Sequence, residues 1–189
     1  MMNDNSIISA IVLSGGKSSR YGEDKCDLLY KGETFLNHQI NKIRNIGIND
    51  IIACGYHGDI CDAKVVADNI LKGPLSGLYF GLKAINNDRA FVVSVDVPLI
   101  KPETIQKLID CSLNIDSDIA AVRHNGNIEP LVAIYKKDLY NNIERLLTGD
   151  NYSMMRLLDN SKTSYVEIDE DAQFLNVNYK DDYNKLIGN

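Results

Sequence analysis

The sequence predicts an α/β protein, a single domain of three layers (α/β/α) whose mostly parallel, twisted sheet gains a small antiparallel part from the second half. Three observations predict it. Through the first 110 residues, short apolar runs alternate with helical-period segments, the order expected of right-handed βαβ crossovers. Leu13/Ser14, Cys54, Asp68 and Asp96 all fall at or just after the ends of those runs. The one hairpin-type signal, Asn125-Gly126, comes only after the alternation has finished.

Residues 7–13 have the length and β-branching of a buried strand and break at Ser14-Gly15-Gly16. Thr34 is suited to cap a helix running to about Ile46, with Leu36, Ile40 and Ile43 at helical spacing and Gly47 as its stop. Residues 50–54 form a short buried strand ended by Gly55, and residues 65–67 a briefer one ahead of Asp68. Past Gly73-Pro74, Leu75, Leu78, Leu82 and Ile85, with Tyr79, line one face of a helix. Residues 90–95 are the clearest strand. It ends at Asp96, and Pro98 blocks continuation. Pro102 fits the first turn of a helix carrying Ile105, Leu108 and Ile109. A strand over 118–122, the hairpin turn and a returning run over 129–135 follow. Then come helices near 137–147 and 152–158, an edge strand over 164–168, and the segment 174–178 leading into a last helix over 181–186. No internal repeat or linker interrupts the chain.

The chain has 189 residues, which suits one domain with a substantial core. A net charge of −6 argues against a protein that coats nucleic acid, so the basic residues near the N-terminus look local. Cys26, Cys54, Cys61 and Cys111 form no C-x-x-C pair and have no His in zinc-ligand spacing, which predicts reduced thiols and a cytoplasmic location. No apolar run approaches the ~20 residues of a membrane helix, and the polar N-terminus lacks the basic region of a signal peptide. The expected partners are small molecules, with no nucleic acid and no membrane.

In doubly wound sheets, ligands sit outside the carboxyl ends of the strands, so the residues at those ends define one candidate site. After the first strand, Lys17, Arg20 and Lys25 follow a glycine pair. Glycines let a ligand approach the backbone, whose N–H groups can form an anion site matched by the cations. The loop is neither a Walker motif nor a dinucleotide fingerprint, since the required glycine spacings are absent. Two glycines alone also suit an ordinary turn with solvated lysines. Asp96, at the end of a buried strand, is placed to hold Mg²⁺, which takes one or two carboxylates plus substrate phosphates; a turn cap is its bland alternative. Asp68 beside Asn69 reads equally as a site residue or as a solvated turn. Gly77 inside a helix pattern fits a close approach by a ligand or simple helix packing.

The string Leu13-Ser14-Gly15-Gly16-Lys17-Ser18-Ser19-Arg20-Tyr21-Gly22-Glu23-Asp24-Lys25 resembles the signature loop of the molybdenum cofactor guanylyltransferase family, with Ser14 for Ala and Tyr21 for Met. Val95-Asp96-Val97-Pro98, Asp68 with Gly73-Pro74-Leu75-Ser76-Gly77, and Phe174-Leu175-Asn176-Val177-Asn178 resemble further family strings. The resemblance covers 7–186 and implies a Rossmann-like fold, with a nucleotide-binding half at about 7–110 and an acceptor-binding half at about 111–189. It implies transfer of GMP from GTP to the phosphate of molybdopterin with release of pyrophosphate. Transient contact with molybdoenzymes or other cofactor-synthesis proteins goes with that role. By resemblance, Leu13, Ser14, Gly15, Gly16, Lys25, Asp68 and Asp96 bind nucleotide, Asp96 holds Mg²⁺, and Lys25, Arg20 and Asp96 are catalytic. Asn176 and Asn178, with Glu129 and Arg156, face the acceptor. The departures include an asparagine near 54–56 that this chain lacks. Competing readings are a molybdopterin cytidylyltransferase or a sugar-phosphate nucleotidyltransferase, and, from a different class, a nucleotide-binding accessory protein without turnover. The Gly15-Gly16 pair is the family feature that favours the guanylyl branch, whereas the cytidylyl branch tends to Ala-Gly.

Overall fold

All five residues of Ser9–Leu13 (β1) are buried, because the strand is covered on both faces. The computed structural model describes residues 5–15, 25–58 and 60–188. A small antiparallel ribbon, Leu29–Tyr30 (β2) and Glu33–Thr34 (β3), precedes helix Phe35–Asn45 (α1). Ile51–Cys54 (β4), Lys64–Val66 (β5), helix Pro74–Ala84 (α2), Arg89–Ser94 (β6) and helix Pro102–Asn114 (α3) complete the alternating half. Then come Ile119–His124 (β7), Asn127–Lys136 (β8), helices Tyr140–Thr148 (α4) and Met154–Asp159 (α5), Thr163–Glu167 (β9) and helix Lys180–Ile187 (α6).

The seven-stranded sheet has the order β5-β4-β1-β6-β8-β7-β9. β8 alone runs against its neighbours. It pairs antiparallel with both β6 and β7, while every other pair is parallel. The predicted class therefore holds, antiparallel part included. Strand alternation sorts side chains into two cores. Ala10, Val12, Phe91 and Val93 join Leu36, Ile40, Ile43, Ile105 and Leu108 beneath α1 and α3. Ile11, Leu13, Ala90 and Val92 join Leu75, Leu78, Leu82, Ile143 and Leu157 beneath α2, α4 and α5. A third cluster, Leu28, Phe35, Val177 and Leu186, ties α6 to the small ribbon.

The departures from the predicted elements have local causes. β1 starts at Ser9 because Asn5–Ile7 forms a 3-10 turn, held by the Asn5 side chain on the Ile46 carbonyl at 2.7 Å. The ribbon was not expected. It is two pairs long, and its turn places Lys31 and Gly32 at φ +53° and +86°. The segment predicted at 137–147 splits into a 3-10 turn, Lys137–Leu139, and α4. The helix predicted from 152 begins at Met154, because the Ser153 hydroxyl accepts from the Arg156 N–H at 3.1 Å. Residues 175–178 are extended but form no strand. The Asp182 carboxylate accepts from the Asn178 and Tyr179 N–H groups and starts α6 at Lys180. The Thr34 cap of α1 and the left-handed Gly47 that follows it match expectation.

At the carboxyl ends of β1 and β4 the two backbones touch. The Ser14 N–H and hydroxyl both donate to the Cys54 carbonyl, each at 2.9 Å. Gly55 then takes φ +86°, and a Cβ there would lie 2.6 Å from the Gly15 Cα. Glycine is required at this position by conformation and by space. Gly55→Ala is expected to destabilise the protein by at least ~2 kcal/mol, the cost of a left-handed alanine plus a backbone clash, read as a lower urea midpoint at unchanged slope.

Candidate active site at the carboxyl edge of the sheet

Lys25 starts a 3-10 turn, Lys25–Asp27, whose middle residue is buried. The Cys26 thiol donates to the Ser14 carbonyl at 3.1 Å and so fastens the turn to the end of β1. The sequence shows Cys26 only as one of four reduced thiols, between the charged residues Lys25 and Asp27; its anchoring role appears in the fold. From this turn, the Lys25 Nζ lies 3.2 Å from the Asp96 Oδ1 and donates to the Asn178 Oδ1 at 3.0 Å. The Val177 N–H donates to the Asp96 carbonyl at 2.9 Å, which stitches the 175–178 segment to the turn after β6. Val177 is fully buried while Asn176 and Asn178 are exposed, so the two asparagines lie on the opposite side of the segment from Val177.

Two effects compete at Asp96. Burial drives its carboxyl above the usual carboxylate range, and the Lys25 charge and hydrogen bond pull the other way; burial wins. The carboxylate keeps about a quarter of its surface, 27%, so it remains reachable from solvent. A half-buried carboxylate short of compensating charge, with one cation already drawn to it, suits a further cation that arrives with its own anions. Among the described residues no cluster of three or more His, Cys, Asp or Glu side chains could hold a metal by itself.

Beside this cluster lies a shallow, open cleft lined by Leu13, Gly15, Cys54, Gly55, Asp68 and Gly77 among others. Asp68 is committed to its own loop. One oxygen accepts from the Ile70 and Leu71 N–H groups, both at 3.0 Å, and the other from the Ser76 hydroxyl at 2.6 Å. That is the turn-forming alternative, yet it places the carboxylate on the cleft wall. Its charge, after burial itself, helps push the Cys54 thiol up to about 12, so Cys54 is a protonated wall residue and no nucleophile. At Gly77 both sequence readings meet: a Cβ would lie 3.0 Å from Leu13 Cδ2, and the residue also lines the cleft.

Farther along the same edge, Glu129 sits opposite Val122 across the β7–β8 hairpin. Its Oε1 is 2.9 Å from the His124 Nε2, and the His124 ring stacks on Phe174 at 4.2 Å. Glu129 is thereby linked to the segment that carries Asn176 and Asn178. His124 was not singled out from sequence; it stands one residue before the Asn125-Gly126 turn, and its partners Glu129, Asp171 and Phe174 come together around it only in the fold. Arg156 is exposed on α5, and no hydrogen bond or ion pair joins its side chain to this group. Gly16 and Arg20 lie outside the described residues. The structure thus brings together Leu13, Ser14, Gly15, Lys25, Asp68, Asp96, Asn176 and Asn178 on one edge, with Glu129 adjoining.

No described helix is long and apolar enough to cross a membrane. Comparison with known proteins agrees with the geometry. The chain is 31% identical to a protein named probable molybdenum cofactor guanylyltransferase from Natranaerobius thermophilus, over 96% of this chain and 94% of that one. Its structure resembles molybdopterin-guanine dinucleotide biosynthesis protein A from Archaeoglobus fulgidus, with TM-score 0.79, 19% identity, and 96% and 97% of the two chains covered. It also resembles 4-diphosphocytidyl-2C-methyl-D-erythritol synthase from Anaerococcus prevotii, with TM-score 0.74, 16% identity, and 99% and 97% covered. At these identities the two structures speak for the fold alone. The family of MobA-like NTP transferase domains matches residues 10–165, and with the relative at 31% identity this places the chain in that family.

Proposed function

We propose that this nucleotidyltransferase moves GMP from GTP to the terminal phosphate of molybdopterin and releases pyrophosphate, in a cytoplasmic step of molybdenum cofactor synthesis. The observation that carries the reading is the meeting of Lys25, Asp96 and Asn178 beside the glycine-walled cleft. A relative named for guanylyl transfer along nearly the whole chain supports it. The single domain divides into a nucleotide half, about 7–110, and an acceptor half, about 111–189.

In the proposed reaction an oxygen of the acceptor phosphate attacks the α-phosphorus of GTP in line, a new P–O bond forms, and the bond to the β-phosphate breaks. A phosphate monoester is already nucleophilic, so no general base is needed, and no activated side-chain nucleophile is required either. Leu13, Ser14 and Gly15 form the backbone wall for the nucleotide, Gly16 shares that binding role, and Asp68 shapes the loop opposite. Lys25, with Arg20, neutralises charge that grows on the α-phosphate and the departing pyrophosphate. Asp96 supplies the carboxylate for Mg²⁺, whose part is to offset phosphate charge and hold the leaving group. Asn176 and Asn178 offer donors and acceptors to the pterin, with Glu129 and Arg156 further along the acceptor side.

GTP with Mg²⁺ at 100 times its Kd should stabilise the protein by about 2.7 kcal/mol, a melting shift of roughly 5–10 °C for a chain of this size. CTP, ATP and UTP should shift it less; a larger shift with CTP would move the assignment to cytidylyl transfer. Asp96→Asn is expected to lower pyrophosphate release by about 10²–10³-fold. Its stability should not fall. Because folding raises the Asp96 pKa, the ionised carboxylate opposes folding above that value and the opposition fades as pH drops through it. A neutral amide removes that cost, so the variant should melt no lower than wild type at pH 7. Full activity in Asp96→Asn would remove this residue from the reaction.

A further inference from the structure

Residue 39 breaks the pattern of its helix. α1 turns Phe35, Leu36, Ile40 and Ile43 into the core, and Gln39 goes in with them at 1% exposure. A buried amide has to find partners, and this one finds them on a single turn. The Gln39 Nε2 donates to the Val97 carbonyl at 2.8 Å and lies 3.4 Å from the Ser94 carbonyl. Its Oε1 accepts from the Lys42 Nζ at 3.3 Å, and that ammonium also donates to the Pro98 carbonyl at 2.6 Å. Carbonyls on both sides of Asp96 are thus held from one helix. Burial pulls the Lys42 ammonium down to about 8, so the clamp is kept against a desolvation cost. Among the described residues no hydrogen bond or ion pair joins the Asp96 carboxylate to Gln39 or Lys42; its ion pair is with Lys25.

We propose that Gln39, assisted by Lys42, is a positioning residue for the Asp96 carboxylate, fixing the 94–98 turn so that Asp96 presents to the metal-bound nucleotide. This rests on the reading of Asp96 as the metal-holding carboxylate. Partners of this outer kind commonly change metal affinity 10–100-fold when removed. A side chain that merely stabilised the fold would lower the melting point and leave the metal dependence alone.

Gln39→Met keeps length and apolar fit while deleting both amide atoms. Calorimetric titration with GTP, in EDTA and at graded Mg²⁺, gives the metal-free Kd and the Mg²⁺ concentration that produces half of the metal-dependent gain in affinity. We expect a metal-free Kd within about twofold of wild type and a half-effect Mg²⁺ concentration raised about tenfold or more. Lys42→Met should shift it in the same direction by less, and Asp96→Asn should abolish the gain. If Asp96→Asn abolishes it while Gln39→Met leaves the half-effect concentration unchanged, the positioning role is overturned and the metal reading stands. If Asp96→Asn keeps the gain intact, the metal reading fails and the positioning role fails with it. Should Gln39→Met lack a cooperative melt, Lys42→Met decides by the same titration, an unchanged half-effect concentration counting against the proposal.

Discussion

One ammonium group gathers three distant parts of the chain. Lys25 reaches the carboxylate after β6 and the amide of Asn178, which is 153 residues away in sequence. None of the three is held by this contact alone. The Cys26 thiol fixes the lysine's turn to β1, the Val177 N–H fixes the asparagine segment to the Asp96 backbone, and Gln39 fixes the Asp96 turn to α1. The side chains keep some exposure while their backbone segments are tied down by these bonds. That combination is what a site handling a polyanion needs: cations and acceptors already aimed, with little left to reorganise when charge develops.

The same contact carries a conflict. Asp96 is buried enough that its ionised form is disfavoured despite the lysine beside it. In a purely structural protein this position would drift toward a neutral side chain. A charge that the fold does not reward marks Asp96 as a candidate functional position, since perturbed carboxylates cluster at such sites. Asp68 is the opposite case: its oxygens are satisfied by loop N–H groups and a hydroxyl, so its charge sits on the cleft wall at little cost.

Much of this was legible in the sequence. The strand ends were marked by abrupt changes from β-branched runs to Gly, Ser or Asp, and those breaks placed Ser14, Cys54, Asp68 and Asp96 on one edge. What stayed hidden depends on tertiary distance. Nothing local says that Cys26 faces the Ser14 carbonyl, that His124 stacks on Phe174, or that the buried amide on α1 reaches over to the next strand's exit. The β2–β3 ribbon escaped notice because two-residue strands carry no period to read. The 175–178 segment showed strand-like alternation, yet among the described residues its one ladder-type partner is the Asp96 carbonyl, too little for a strand. The Gly55 position shows the reverse: the glycine was visible, but its necessity comes from Gly15 on a neighbouring strand.

The antiparallel β8 has a mechanical consequence. It is ten residues long and hydrogen-bonded to β6 on one side and β7 on the other, so the sheet runs without a break from the strands of the first half of the chain into those of the second. Two parts of a chain joined this way resist rotating about a hinge, because rotation would shear a continuous ladder. The distance between the Lys25–Asp96 pair and the Glu129–His124 pair is therefore set by strand spacing. Inside the seam, the register between β7 and β8 slips where Ala121 gives way to Val122, leaving Pro130, Leu131 and Val132 unmatched on the β7 side. Val132 still pairs with Val93 of β6, but Pro130 and Leu131 have no partner in either ladder, so a change at those two leaves the pairing to β6 intact. The fold therefore separates a rigid ruler beside β6 from an adjustable tip at the hairpin.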